Sequence, residues 1–578
     1  MNWQNKNQLA LLTLLLAPAA ASAQTVIYDV VNYGSRTGSG LPSAGIAQGA
    51  LFAVTGANLG PAAPVQAGFP LPTGAGLGGV TISVVASDRS NVNAIMVYVN
   101  TNEVDAILPS STPLGSATLT VNNNGTTASF PFNVVANAFG IFTGAGVYNV
   151  NPDGSTTPNT LAQSAQPGQT ILINGTGLGA LAGVDETQSG VTATPNATIT
   201  VWVGTVQATV VSAGPGTCCA GIDPNFPIPQ GIAAWDVIAI TIPAGVQGCQ
   251  VAVSIQSGNI VSNAVFVAIG PNGGVCPEVL LTSNGSPVTV SGPLKTAVIN
   301  MTRSAGVQSI GGASVSSLTD SATAVFVPID AGPNPVPLPS YPADIRASVG
   351  SCFVTVGRFD RSIPIVPPTT TTPPTPQVFL DAGPQLNITA PNVTEAMTSQ
   401  QTGIYNATTI ASTFTIPGLP PQTTTSGPDY LVPGPYTLDN GGGGADIGPF
   451  SGTLINPTPV NWTNMPAPGG TVQTSQGITL TWTGGDPGGV VVIVGSSIAL
   501  QGTVSYSGLF GCYAFASDGQ YTVPAFITQQ LPPTGPAPSG IGILQIQAII
   551  GNLTTTFPGI DLLTYFSIQA VGDSVVYQ

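Results

Sequence analysis

The chain has 578 residues, room for about three to five domains. Its net charge of −15 reflects a scarcity of cations, 8 Lys and Arg against 23 Asp and Glu, so no basic patch exists to hold nucleic acid or an anionic membrane. Histidine is absent, which removes Ser-His-Asp and Cys-His triads, imidazole acid–base chemistry and most catalytic zinc sites.

The N-terminus reads as an export signal over residues 1–23. Lys6 supplies a positive start, residues 9–16 an apolar run, and Ala21-Ser22-Ala23 a small-x-small cleavage pattern, so the mature chain is expected to begin at Gln24. The apolar run is too short to cross about 30 Å of hydrocarbon, and Pro18 interrupts it. No cysteine stands at the cleavage point for lipid attachment, and no later segment is apolar for long enough to span as a helix. Beyond Gln24, Gly and Pro are abundant, but an apolar content of 43% is too high for disorder. Short Val-, Ile- and Thr-rich runs between them predict strands and turns throughout, an all-β chain.

An internal repeat organises the first half. Residues 49–60 read GALFAVTGANLG and residues 168–179 read GQTILINGTGLG, both fitting G-x-x-Φ-x-Φ-x-G-x-[NG]-L-G, with Φ apolar. Alternating apolar residues predict a strand with one buried face, the Gly after them a bend, and the Leu a pin against the core. Later segments match as well: 80–84 with 197–201, 104–109 with 238–243, 115–121 with 248–255, and 129–135 with 262–268. Strands at this spacing, about 100 residues per copy, predict β-sandwiches. Expected boundaries are 24–145 and 146–270.

Together, GALFAVTGANLGP, PLP, LGGVTISV, VNTNEVDAILP, GSATLTVNNNG and FGIF resemble the IPT/TIG-type immunoglobulin-like repeats of secreted acidobacterial proteins. Residues 149–179 resemble the junction between two such repeats. The resemblance covers residues 30–270 and implies an immunoglobulin-like fold, with nothing about ligand or activity. The second copy departs from the pattern through an insertion around Cys218 to Trp235, where Pro224 to Pro229 are expected as a surface loop.

Residues 276–363 carry further strand-like runs and are expected to form a third sandwich. The tract Pro364 to Pro376, rich in Pro and Thr, cannot supply the donors of a sheet and reads as a semi-rigid linker. Residues 377–578 then alternate in strand fashion (ITLTWT at 478–483, for example) and form an expected C-terminal β-rich domain. Six cysteines suit an oxidising compartment. The expected pairs are Cys249 with Cys218 or Cys219, and Cys276 with Cys352, leaving Cys512 alone. Zinc is disfavoured, since the vicinal pair lacks C-x-x-C spacing.

Site candidates are sparse. Asp439, Asn440 and Asp446 flank a Gly-rich run and supply oxygen ligands suited to Ca²⁺, without EF-hand spacing; a plain hairpin loop is the simpler reading. Trp202 and Trp482 lie in alternating strands and are read as core, whereas Trp235 and Trp462, in less regular surroundings, are candidates for stacking on carbohydrate. A carboxylate-pair hydrolase would need no His, but Glu103, Glu186, Glu278 and Glu395 lie in separate segments, and Glu103 is expected at a turn. The expectation is a secreted or cell-surface, non-catalytic protein without cofactor. Its role would be structural, adhesive or binding, with extracellular polysaccharide or other surface proteins as partners. The alternatives are carbohydrate binding, or carboxylate hydrolysis, by residues 377–578.

Overall fold

The computed structural model describes residues 24–578 except 144–145, 217–227, 230, 277–287, 311–312, 334–335, 338–347, 364–377, 391–392, 417, 536–538 and 555–556. The expected signal, Cys218, Cys219, most of the insertion's proline-rich stretch and the Pro/Thr tract therefore lie outside the described residues. What is described is all-β, with one four-residue α-helix, Ala525–Thr528, and two 3₁₀ turns.

Two immunoglobulin-like sandwiches come first. In the first, strands Val26–Asn32, Leu51–Ala57, Glu103–Ile107, Ile95–Val99 and Val65–Gln66 form one sheet. Ile46–Ala47, Thr126–Val135, Gly115–Asn123, Val80–Val85 and Asn91–Asn93 form the other. Phe52, Val54, Val104 and Ala106 from one layer meet Ile82, Leu119, Val121 and Val134 from the opposite layer in a closed apolar core. In the second sandwich, Thr170–Thr176 and Asp236–Thr241 face Thr200–Val203 and Gly248–Ser257, with Ile171, Ile173, Ile238 and Ile240 packed on Val201, Val203, Val253 and Ile255.

The repeat motif performs the same task in both copies. Gly56 is needed for space rather than for a bend: a Cβ there would sit 2.0 Å from the Val26 carbonyl oxygen, and at Gly175 2.3 Å from that of Gly140. The left-handed bend falls two residues later, at Asn58 (φ 54°) and Gly177 (φ 110°). Asn and Gly, the residues the two copies carry there, adopt positive φ more readily than other residues. Leu59 and Leu178 then plug their cores, both fully buried.

The expected third sandwich is not a separate body. Pro293–Ile310, Ala313–Asp330 and Cys352–Asp360 belong to one 14-stranded sheet that also contains most of the strands after residue 378. The hairpin Pro293–Ile310/Ala313–Asp330 sits mid-sheet, parallel to Leu562–Tyr577 on one side and antiparallel to Ile404–Thr415 on the other. Cys352–Asp360 borders Val504–Phe515 at an edge. The sheet serves two cores, Leu562–Tyr577 contributing Leu563 and Tyr565 to one and Val575 and Tyr577 to the other. Around the first, the sheet curls until Ser451–Asn456 meets Leu562–Tyr577, where Tyr565 donates to the Ile455 carbonyl and the Ser567 hydroxyl meets the Asn456 side chain. The second is capped by a three-stranded sheet, Val460–Trp462, Ile478–Gly484 and Gln520–Val523, and by the short helix.

All three bodies touch one another. Phe142 bridges sandwich one to sandwich two, edge-on to Tyr33 at 5.9 Å and to Trp235 at 5.0 Å. Trp202 of sandwich two stacks on Phe526 of the C-terminal body at 4.6 Å, and Leu41 of sandwich one packs with Ala499 and Tyr506. Disulfide pairing follows this arrangement and overturns the expected pairs. Cys249 bonds Cys276, closing the end of sandwich two, and Cys352 bonds Cys512, directly opposite it on the neighbouring strand. Cys276 and Cys352 belong to different bodies, so spacing along the chain could not reveal their partners.

Candidate binding cleft

The two tryptophans expected to be available for stacking are core residues. Trp235 is 1% exposed, packs against Phe142 and donates its ring N–H to Asn174 Oδ1 at 3.0 Å. Trp462 is 7% exposed, sits opposite Trp482 across the strand pair and donates to Asn464 Oδ1 at 2.8 Å. Trp482 is core as read from its strand. The irregular chain around Trp235 is cover for an interface, which a single-chain periodicity cannot register.

The Gly-rich loop is held by its own polar groups. Asn440, buried, donates to the Ala382 and Gly448 carbonyls and accepts from the Phe450 N–H. Asp439 accepts from Asn387 and from the Gly441 N–H, and Asp446 accepts the Asp381 N–H. These oxygens take part in turn geometry, and no group of three His, Cys, Asp or Glu side chains placed to hold a metal ion occurs among the described residues.

The structure instead gathers ionisable groups where the first sandwich meets strand Cys352–Asp360. A β-bulge at Tyr28 shifts the register between Ile27 and Asp29. Bulges re-aim side chains, and here Asp29 joins Thr55 and Glu103 in one row across three strands. Val30, Val54 and Val104, the adjacent row, point into the sandwich core, so the Asp29 row faces outward. Arg358 enters from the facing strand. Its guanidinium lies 3.7 Å from Asp29 and 3.2 Å from Asp360, and it donates to the Tyr28 carbonyl at 3.3 Å. Its Nε–H is buried and has no partner. A cavity of about 430 Å³ opens here, lined among others by Tyr28, Asp29, Arg36, Arg358, Phe359 and Asp360. A larger groove of about 760 Å³ runs along residues 149–170 and 272–274. It contains no charged side chain, and its Asn149 and Gln169 amides are engaged by backbone carbonyls.

Beside the cleft, Glu103 opens its strand rather than a turn, and alternation places Asp105 on the same face. Glu103 pairs with Arg36 at 2.8 Å, and Arg36 lies over the Tyr33 ring at 4.5 Å. Asp105 is 1% exposed and neither carboxyl oxygen has a hydrogen-bond partner. Burial, reinforced by the Glu103 charge and opposed by Arg36, raises its pKa well above the usual carboxylate range. Burial and the Asp105 charge push the Tyr33 hydroxyl up to about 12. The pair brings two carboxyls together, which the scattered Glu residues did not suggest; the i, i+2 spacing on a strand was the available signal. A group as enclosed as Asp105 has no path to a substrate.

Cores, sheets and cleft define an all-β protein of immunoglobulin-like sandwiches joined to a larger sheet body. No family model matches the chain, and no curated protein does. Among solved structures, the plexin A4 extracellular region matches at 10% identity and a TM-score of 0.15, over 43% of this chain and 19% of that one. The chain thus spans about a fifth of the plexin region it matches. The tetra-tandem repeat from the extending region of a large adhesion protein matches at 12% identity, TM-score 0.13, over 95% and 99% of the two chains. Invasin, a bacterial integrin-binding protein, matches at 11% identity, TM-score 0.13, over 95% and 79%. Likenesses of this size carry no argument, and the fold class rests on the sheets and cores themselves.

Proposed function

We propose that this is an exported, non-catalytic protein that acts outside the cell or on its surface, in adhesion, surface architecture or the binding of an extracellular polymer. The observation that carries this reading is the closure of the interiors. Each core is filled by apolar side chains, the three bodies brace one another, and the charged cleft lies at a seam between bodies, where its ion pairs hold two strands together. Two disulfides support an oxidising location, and the sparse charge and Thr-rich strands suit an extracellular protein. The resemblance of residues 30–270 to IPT/TIG-type repeats of secreted proteins fits the same picture. The test is to express the chain from Met1 in a secreting bacterial host, locate it by fractionation, and measure retention of the purified protein on cells and on insoluble polysaccharides. Cytoplasmic retention, or a hydrolytic activity abolished by Glu103→Gln, refutes the proposal.

A further inference from the structure

We infer that the outer face of the large sheet, over Cys352–Asp360, Val504–Phe515, Val490–Gln501, Gly540–Thr554 and Leu562–Tyr577, is the surface through which two copies of this chain associate. The inference goes beyond the proposed role, which stands equally for a monomer. Alternation divides the residues of these strands between two sides. Cys352, Phe510, Cys512, Ile493 and Ile546 turn inward to the second core. Phe359, Leu500, Ile498, Leu509, Phe515 and Ile541 turn the other way and are 40–58% exposed. The register gathers most of them into one patch. Phe359 and Leu500 flank Ser505, Ile498 lies beside Ile541, and Leu509 and Ile543 flank Ser496. On the same face a hollow of about 220 Å³ is lined by Val494, Ile549, Phe566 and Ile568 among others.

The sheet itself does not require an apolar outer side. Further along it, Ala313–Asp330 sends Ala322, Ala324 and Phe326 inward and presents Ser317, Thr319, Ser321 and Thr323 outward. Scattered exposed apolar residues are ordinary, but a contiguous patch across several strands marks a contact surface. The two sandwiches do not supply that contact. Leu41 of sandwich one packs on Ala499 and Tyr506, which belong to the inner side, and Trp202 stacks on Phe526 of the inner cap. Sandwich two meets the outer face at its border, Phe266 edge-on to Phe353 at 6.2 Å.

Charge and area select a second copy as the occupant. Taking alternate residues along Phe353 to Phe359, Ser505 to Phe515, Val490 to Leu500, Ile541 to Gly551 and Phe566 to Ser574, the face carries no Asp, Glu, Lys or Arg. Two copies of a chain with net charge −15 repel one another, and they can approach most cheaply through a face that has no charge. A two-fold contact sets each patch against itself, so any ion on it would meet its like across the axis; this face has none to clash. Five strands about 4.8 Å apart, with about ten residues of each, cover roughly 20 Å by 33 Å, or about 700 Å² before side-chain relief is added. A stable interface takes about 800 Å² from each partner, so the face is of the size needed. The apolar centre and the Ser- and Thr-bearing strand beyond it repeat the core-and-rim pattern of such interfaces, and two sheets packed face to face make a sandwich of the ordinary kind.

The experiment follows the whole mature chain, 24–578, by sedimentation velocity from nanomolar to near-millimolar concentration. The expected result is a reversible monomer–dimer equilibrium that holds or tightens as salt is raised, because screening removes the repulsion between copies while the contact has no ion pair to lose. Ile498→Asp weakens it at least about tenfold, since a charge must then be buried against an apolar face. Ile410→Asp, equally exposed on Ile404–Thr415 outside the patch, leaves it unchanged. A thermal melt of each variant checks folding; should Ile498→Asp unfold, Ile541→Asp, more exposed and next to the strand's start, takes its place. A chain that stays monomeric throughout overturns the inference, as does a dimer indifferent to both patch substitutions or lost on raising salt. A monomer that binds zwitterionic vesicles through Ile498 overturns it too, by assigning the face to lipid. None of these results bears on export or on retention by polysaccharide, so the broader reading is judged separately.

Discussion

Asp105 illustrates how one residue can oppose the fold that contains it. Its carboxyl is enclosed beside Glu103, with Arg36 and Tyr33 as its other charged or titratable neighbours. Because its pKa is raised in the folded state, the folded chain holds a proton that the unfolded chain has released. Stability attributable to this group is therefore present at low pH and falls as pH rises above about 4, the ordinary carboxylate value. Asp236 acts in the same sense over a defined window. Burial lifts it to about 7 despite N–H bonds from Leu178 and Gly177, so its contribution declines between about pH 4 and pH 7. Asp105→Asn is expected to melt several degrees above the parent at pH 8, with the gap closing toward pH 4. Thermal melts across that range test it, and a uniform loss of stability at all pH values contradicts the account. Gly56 gives a steric counterpart. An added Cβ would overlap the Val26 carbonyl, so Gly56→Ala is expected to cost about 1–3 kcal/mol or more in chemical denaturation, through displacement of the first strand.

At the scale of elements, the tryptophans and the disulfides divide the work of holding strands together. Trp235 fills the seam between sandwiches and Trp462 the second C-terminal core, so truncation of either to Ala is expected to cost about 3–5 kcal/mol. Neither change should alter retention on insoluble polysaccharide by protein that remains folded; a selective loss of retention without loss of stability would return these residues to a ligand role. The Cys352–Cys512 bond fastens an edge strand to its neighbour across a sequence separation of 160 residues. Replacing both cysteines with Ser is expected to cost about 2–4 kcal/mol and to loosen that edge first, visible as faster amide exchange over 352–360 than elsewhere in the sheet.

For the whole molecule, the question is where the chain can be cut. The Pro/Thr tract marks a boundary in sequence, yet the sheet places Pro293–Ile310 and Ala313–Asp330 between Leu562–Tyr577 and Ile404–Thr415. A fragment 378–578 lacks the middle of its own sheet, with two long unpaired edges left exposed. It is expected to aggregate or remain unfolded, while a fragment 288–578 gives a cooperative melt and a monodisperse peak on gel filtration. A well-folded 378–578 would contradict the shared sheet.

The order of hydrophobic and bend-forming residues determined, unaided, that the chain is all-β and that its first half is a repeated sandwich. Those properties are local: side-chain alternation, the space a glycine leaves, the left-handed turn at Asn58 and Gly177. Even the strands of the C-terminal half announced themselves in the same way, as at Ile478–Gly484. Which strands pair, which cysteines meet and which tryptophans are covered are matters of separation in space, and periodicity along one strand holds no record of its partner. Arg358 meets Asp29 although more than three hundred positions separate them, so the cleft exists only because two bodies close on each other.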